Sequence, residues 1–150
     1  MRDNDRRFTL PSTIAEIKAT YGLEAFDLDP CADTLSQQAP NCLFDEGLTR
    51  PWFGHAFVNP PFSDIETWVR KALKELPNTK SITLLLPANR TEQPWFWILW
   101  RFTQGVGRLH NFHWFGKRTK FGTPEDPEGK RKGNHPPFAC FALHLPGGVK

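Results

Sequence analysis

The sequence lacks the features of several large protein classes. Its longest apolar run, Trp95 to Trp100, is far shorter than the roughly 20 residues that a membrane-spanning helix requires. The segment Met1 to Arg7 is too highly charged for a secretory signal peptide. The 14 prolines and 11 glycines are scattered, and no internal repeat is visible. We therefore expect an intracellular, cytoplasmic protein without a membrane partner.

Cysteine is also scarce. Cys31, Cys42 and Cys140 lack the close spacing of zinc ligands and cannot all pair with one another, so we expect reduced thiols. His110 and His113 would point to opposite faces of a strand, so the sequence predicts no metal site.

Length and charge bound the remaining classes. A chain of 150 residues, 39% hydrophobic, is expected to form one domain over residues 1–150. Residues 1–90 carry 10 Lys and Arg against 12 Asp and Glu, whereas residues 91–150 carry 9 against 4, a net charge of +5. This asymmetry is typical of a protein whose polyanionic partner approaches one side, and a merely solvated basic face is the alternative.

The periodicity of apolar residues predicts alternating strands and helices. The predicted helices are Ser12 to Tyr21, Ser63 to Leu76 and Thr91 to Thr103. The predicted strands are Ala25 to Pro30, His55 to Asn59 and Ser81 to Pro87, with others near Arg108 to Phe115 and within Phe138 to Leu145. This order favours an α/β fold with a mostly parallel central sheet and helices on both faces.

The ends of these elements carry their own signals. Thr13 with Glu16, and Ser63 with Glu66, have the spacing of capping boxes, and Gly22 is placed to end the first helix. Residues 122–137 have no periodicity, and we expect a mobile basic loop there.

The most informative motif is Asn59-Pro60-Pro61-Phe62, where a predicted buried strand gives way to a helix. Binding sites of open parallel sheets lie at the carboxyl ends of the strands, so its position suits a functional role. The alternative is a rigid turn in which Asn59 caps the helix and Phe62 packs inward.

Other segments accompany this motif in a characteristic order. They are Phe8-Thr9-Leu10-Pro11, Leu28-Asp29-Pro30-Cys31-Ala32, Asp45-Glu46-Gly47-Leu48 with Trp52, Phe57 to Phe62, Trp68 to Ala72, Leu84 to Thr91 with Trp95-Phe96, Lys120-Phe121-Gly122 and Pro137-Phe138-Ala139. In this order the chain resembles the phage-type DNA N-6-adenine methyltransferases from about Phe8 to Leu145. The resemblance implies a Rossmann-like methyltransferase fold with antiparallel strands at the C-terminal edge of the sheet.

The resemblance also implies a chemistry that these residue types explain. The exocyclic amine of adenine is a poor nucleophile, and two hydrogen-bond acceptors would return electron density to its nitrogen. The side-chain oxygen of Asn59 and the backbone carbonyl of Pro60 would be those acceptors. Pro61 would stiffen the turn, and Phe62 would stack on a base flipped out of the duplex.

The implied methyl donor is S-adenosyl-L-methionine. The residues expected to bind it are Phe8, Thr9, Asp29, Pro30, Cys31, Ala32, Asp45 and Asn59. Asp29 would meet the methionine amino group or orient the turn, and a simple cap of the following turn is the alternative. Asp45 would bind the ribose, and an acid in a surface turn is the alternative. The turn after Asp29 contains no glycine, unlike that of the wider methyltransferase class, and Cys31 is expected to be a packing residue.

DNA is the implied partner. The expected phosphate contacts are Lys117, Arg118, Lys120, Lys130, Arg131 and Lys132. A methyltransferase of RNA adenine or of protein glutamine would use the same acceptors, and a non-catalytic DNA-binding relic of the fold is a third interpretation. The helix with Trp95 to Trp100 is apolar on all sides, so Trp97 or Trp100 is a candidate surface for homo-oligomers.

Overall fold

A computed structural model of the protein describes residues 5–105, 111–130 and 139–150, and these form a mixed α/β structure. The helices are α1 (Pro11–Tyr21), α2 (Ile65–Glu75), which continues into a 3-10 helix at Leu76–Asn78, and α3 (Pro94–Gly105). The strands are β1 (Phe8–Thr9), β2 (Leu28–Asp29), β3 (Asn41–Cys42), β4 (His55–Val58), β5 (Ser81–Pro87), β6 (Phe112–Trp114), β7 (Phe121–Gly122) and β8 (Cys140–Pro146).

The main sheet has the strand order β3-β2-β4-β5-β8-β6, and β1 pairs separately with β7. Strands β2 to β5 are parallel to one another. Strand β8 is antiparallel to both β5 and β6, so among the described strands of this sheet it alone is reversed. The arrangement agrees with the predicted mostly parallel sheet with an antiparallel strand toward its C-terminal side.

The two faces of the sheet bury separate apolar clusters. Successive side chains of a strand point to opposite faces, and β5 shows this alternation. Leu84 lies in the cluster that holds the apolar sides of α2 and α3, whereas Leu85 packs with Ile14 and Ile17 of α1. Helices therefore cover both faces, as predicted, and each fully buried leucine contributes about 1.5–3 kcal/mol.

Both predicted capping boxes are wrong. Helix α1 begins at Pro11, whose missing N–H is no loss in the first turn, and no side chain caps it. Helix α2 begins after Asp64, again without a side-chain cap, because the Ser63 hydroxyl donates to Asp5 instead. Gly22 does end α1, with the left-handed φ of 67° that glycine adopts readily.

Helix α3 begins later than predicted, with Pro94 in its first turn. Trp95, Phe96 and Leu99 are buried, as expected of its core-facing side. Trp97 is 44% exposed, whereas Trp100 is partly covered by stacking on Phe96. Self-association through this helix stays a prediction. Within the described residues, no helix combines the length and apolarity needed to cross a membrane.

The shortest strands were the hardest to predict. The strand expected over Ala25 to Pro30 is reduced to β2, and the two-residue strands β1, β3 and β7 were not predicted as sheet elements. The strands expected near residues 108–115 and 138–145 are present as β6 and β8.

The predicted mobile loop over 122–137 begins with a tight turn. In this turn Thr123 and Asp126 exchange backbone hydrogen bonds, and the N–H of Lys130 donates to the Asp126 carboxylate. Residues 131–137 lie outside the described residues, so the mobility of the loop stays a prediction.

Candidate active site

Two polar turns lie side by side at the carboxyl edge of the sheet. Strands β2 and β4 are parallel neighbours, with Leu28 opposite Ala56. The chain leaves β2 at Asp29 and Pro30, and it leaves β4 at Asn59 and Pro60. The fold therefore brings together the two segments that the sequence singled out for cofactor and substrate.

The amide of Asn59 has a defined orientation. Its Nδ2 donates to the backbone oxygen of Arg7 at 2.9 Å and to Thr9 Oγ1 at 3.1 Å. Both amide hydrogens are thus used, while Oδ1 accepts no hydrogen bond from the described residues. Pro60, next in the chain, is buried and has no N–H to offer. The turn therefore presents acceptors rather than donors.

The aromatic ring of Phe62 is half-buried beside this turn. Its ring meets Phe121 edge to face, with centroids 6.1 Å apart. The guanidinium carbon of Arg7 lies over the Phe62 ring, 4.7 Å from its centroid. The ring that is predicted to stack on a base is therefore covered by a cation in this structure, and its stacking role stays a prediction.

Residues 5–9, which we call the N-terminal strap, are hydrogen-bonded to the Asn59–Phe62 turn and to Ser63 after it. The Asp5 carboxylate accepts hydrogen bonds from the Ser63 backbone N–H at 3.2 Å and from the Ser63 hydroxyl at 2.6 Å. Arg6 donates to both carboxylate oxygens of Asp33, at 2.7 and 2.9 Å. The strap therefore connects the turn after β2 with the turn after β4, and Phe8 and Thr9 lie here as buried residues of β1.

Asp29 is the most deeply buried acid of the site, with 3% of its surface exposed. Its carboxylate accepts hydrogen bonds from the backbone N–H groups of Gln38, at 3.0 Å, and Cys31. Burial outweighs these bonds and raises the pKa of Asp29 to about 6. No lysine or arginine of the described residues forms a salt bridge with it.

The residues after Asp29 pack tightly against the segment that carries Asp45. A Cβ atom on Gly47 would lie 1.9 Å from the backbone oxygen of Pro30, so only glycine fits there. The Trp52 indole N–H donates to the oxygen of Gly47 at 2.8 Å and holds this segment in place. Burial raises the pKa of the Cys31 thiol to about 12, in keeping with a packing role for Cys31. Ala32 is buried beside it.

Two of the cavities beside the motif are lined by both Ser63 and Asp64. The larger, of about 590 Å³, is lined by Asp5, Phe44, Asp45, Pro61, Ser63, Asp64 and Trp68. Its charged lining residues are all acids, which favours a cationic ligand. The smaller cavity, of about 170 Å³, is lined by Phe62, Ser63, Asp64, Ile65, Glu66, Arg90, Gln93 and Trp95. Asp45 and Phe62 thus lie in different cavities.

The basic residues proposed for DNA contact divide into two groups. Lys117, Arg118 and Lys120 line one cavity of about 560 Å³ together with the first turns of α1. Lys130 lies apart, with its ammonium 2.6 Å from Glu128. Arg131 and Lys132 lie outside the described residues. The structure therefore brings together three of the six predicted phosphate contacts.

The described histidines lie within hydrogen-bonding distance of polar side chains. His55 Nδ1 lies 2.7 Å from Ser81 Oγ, and His113 Nε2 lies 2.7 Å from the Glu16 carboxylate. The three cysteines are free. The described residues contain no group of three His, Cys, Asp or Glu side chains arranged to hold a metal ion. His110 lies outside the described residues.

Sequence reasoning missed several residues that hold the site. Gln38 supports Asp29 through its backbone N–H, and its side chain donates to the backbone oxygen of Thr9. Nothing in the sequence assigned a role to Asp5 or Arg6, which belong to a charged N-terminal segment. Their pairing with Ser63 and Asp33 joins residues 58 and 27 positions apart, and no local pattern signals such contacts.

Comparison with known proteins supplies the family. Residues 2–136 match the model of the family described as DNA N-6-adenine-methyltransferase (Dam). The DNA N-6-adenine-methyltransferase of Escherichia phage T1 is 31% identical over 93 residues, which cover 55% of this chain and 35% of that protein. No solved structure matches. Because the family match spans most of the sequence, the chain belongs to the DNA N-6-adenine-methyltransferase family.

Proposed function

We propose that the protein transfers a methyl group from S-adenosyl-L-methionine to the exocyclic amine of a flipped adenine in DNA. Family membership supports this activity. The single observation that carries it is the orientation of Asn59, whose two amide hydrogens are held by the strap while Oδ1 is left to accept. The chain spans 35% of the length of its phage T1 relative, so the activity is proposed for the residues present here.

The sheet supports a Rossmann-like methyltransferase fold. Parallel strands β2 to β5, helices on both faces and one reversed strand, β8, agree with the architecture that the resemblance implies. Both candidate turns follow parallel strands at one edge, where such folds bind their ligands.

The residues present suit S-adenosyl-L-methionine, which supplies an electrophilic methyl group on a positively charged sulfur. Asp29 is a buried carboxylate that has no cationic partner among the described residues, and the methionine ammonium group would provide one. The 590 Å³ cavity, which Asp29 does not line, is within the size range of small-ligand sites, and Asp45 lines it where a ribose hydroxyl could be bound. Cys31, Pro30 and Ala32 would contribute shape rather than charge.

The acceptor residues would activate the adenine amine. Asn59 Oδ1 and the Pro60 carbonyl would each accept one amine hydrogen, which localises the nitrogen lone pair toward the methyl donor. Phe62 would stack on the base, a contact worth roughly 1–3 kcal/mol. After transfer the surplus amine proton would pass to water, so the scheme needs no catalytic histidine.

The basic residues favour a nucleic acid as the partner. Lys117 and Arg118 are exposed and Lys120 is half-buried around one cavity, where DNA phosphates would bind. Lys130, Arg131 and Lys132 stay candidates for the same role. A host-cell cytoplasmic location follows if the gene is carried by a phage, and self-association through Trp97 remains a separate proposal.

The test is to incubate DNA with the protein and the cofactor, digest the DNA to nucleosides and measure N6-methyladenine by mass spectrometry. We expect methylation by the wild type and its loss in Asn59→Ala. The matched control is Asn41→Ala, because Asn41 is exposed on β3 and binds the Asp27 backbone. Equal methylation by wild type and Asn59→Ala would refute the role of Asn59.

Two further measurements separate the alternatives. Calorimetry with S-adenosyl-L-methionine tests the relic, because a relic would show no binding at millimolar cofactor. Parallel reactions on RNA and on a glutamine-containing peptide would show whether DNA is the preferred substrate.

A further inference from the structure

The Arg7 side chain covers one face of the Phe62 ring, on which the target base is proposed to stack. Its guanidinium carbon lies 4.7 Å from the centroid of Phe62. A stacked base needs van der Waals contact with the same ring, at about 3.5–4 Å between carbon atoms. The guanidinium and a base cannot both fill this space on one face of the ring.

The strap holds Arg7 at this position from both sides. Asp5 is bonded to Ser63 just before it, and Thr9 accepts a hydrogen bond from Asn59 just after it. The backbone oxygen of Arg7 is itself bonded to Asn59. The gap left between strap, Asn59 and the turn after β2 is about 20 Å³, room for little more than one water. The closed strap therefore fills the space between Asn59 and the turn after β2.

The contact of Arg7 with Phe62 is partly shielded from water. Arg7 is half-buried, and this burial lowers the pKa of its guanidinium. It makes no salt bridge within the described residues. The Asp5 carboxylate attracts the guanidinium electrostatically, and the face of the Phe62 ring attracts it as a cation–π contact. A flat aromatic ligand could replace such a contact.

We propose that Arg7 gates base entry: without DNA it covers Phe62, and the target adenine must displace it to bind. The proposal rests on the proposed function, because it takes Phe62 as the base platform. Removing the Arg7 side chain then removes a competitor of the base. Cation–π contacts of about 0.5–2 kcal/mol correspond to a gain of about 2- to 30-fold in adenine-dependent affinity.

The test compares two short single-stranded oligonucleotides of pyrimidines. One contains a single adenine, and the other has an abasic site at that position. The dissociation constants of both are measured for the wild type, Arg7→Ala, Arg7→Lys and Arg101→Ala. The dissociation constant for the abasic oligonucleotide divided by that for the adenine oligonucleotide reports adenine recognition. This ratio cancels the general effect of losing one positive charge. Arg101 is exposed on α3 and serves as the matched control.

We expect the ratio to increase about 2- to 30-fold in Arg7→Ala, by less in Arg7→Lys, and not in Arg101→Ala. Hydrogen exchange at residues 5–9 without DNA should also be faster in Arg7→Ala. A ratio that discriminates adenine in the wild type but does not rise in Arg7→Ala and Arg7→Lys would overturn the gate alone. If even the wild type does not discriminate adenine from the abasic site, the base platform itself is wrong and the gate is refuted with it.

Discussion

The turns that follow β2 and β4 occupy equivalent places on neighbouring strands, and each combines a polar residue with proline. Asp29 is almost fully buried and is held by backbone N–H groups. Asn59 is half-buried and is held by the strap. The first turn buries a carboxylate that has no counter-ion in the part of the chain that the structure describes, and the second presents a neutral acceptor. The difference suits the first to a cation and the second to an uncharged amine.

The largest effect should come from changing the second turn. Replacing Asn59 by Ala removes one of the two acceptors, and loss of one preorganised hydrogen-bonding group at a reaction centre typically costs about 10²–10³ in kcat. Single-turnover methylation, with protein in excess over DNA, measures the step directly. Cofactor affinity should change much less. A kcat within threefold of the wild type would contradict the distinction between the turns.

Changing the first turn should alter stability in a pH-dependent way. The folded pKa of Asp29, about 6, lies above its ordinary 3.8, so the folded state binds this proton more tightly than the unfolded state. The Asp29 charge therefore lowers stability above pH 6, and this cost is relieved as the pH falls through about 6 toward 3.8. The pKa difference corresponds to about 3 kcal/mol at most.

Asp29→Asn should therefore raise the free energy of unfolding of the ligand-free protein by about 1–3 kcal/mol at pH 8, with little effect near pH 4. Urea unfolding at both pH values measures this. The same variant should bind S-adenosyl-L-methionine more weakly, and the wild-type affinity should fall below pH 6. A variant less stable than the wild type at pH 8 would contradict the cost assigned to the buried charge.

A change at Gly47 should disturb the first turn and spare the second. The added methyl of Gly47→Ala would meet the Pro30 carbonyl, and such overpacking costs typically about 1–3 kcal/mol. Thermal unfolding and cofactor calorimetry should both show a loss. Gly116→Ala is the matched control, since no atom lies within 4 Å of its added Cβ. Equal behaviour of the two variants would argue against the close packing.

Substitutions in the cavity lined by Lys117, Arg118 and Lys120 should affect the two turns least. Replacing Lys117, Arg118 and Lys120 by Ala should reduce the slope of log affinity for DNA against log salt by about 2–3. Cofactor binding should stay unchanged. Replacing Lys74, Lys80 and Arg101 removes the same charge from exposed positions elsewhere. An unchanged slope in the first triple variant would remove these residues from the DNA interface.

The sequence predicted the parts of this molecule that depend on local pattern. The strand Ser81 to Pro87 has the predicted bounds, because a continuous apolar run bounded by turn signals is typical of a buried strand. The sequence likewise predicted which side chains of α3 are buried. The side-by-side position of Asp29 and Asn59 followed from the parallel order of their strands.

The contacts of the strap could not be predicted from the sequence. Asp5, Arg6 and Arg7 are charged residues near a chain end, and such segments are usually unstructured unless tertiary contacts hold them. Their partners lie far along the chain, and strands β1 and β7 are too short to show a period. Within the strap, the sequence indicated a role only for Phe8 and Thr9. That indication came from the family resemblance and not from periodicity.

The reversed strand β8 has a consequence for folding. It is inserted between β5 and β6, which precede it in the chain, and joins them through two antiparallel ladders. Until residues 140–146 are synthesised, β5 and β6 each present unpaired backbone groups, and one of these edges is a seven-residue apolar strand. A nascent or truncated chain that stops short of β8 should therefore be prone to aggregation, although the residues of both candidate turns would already have been made.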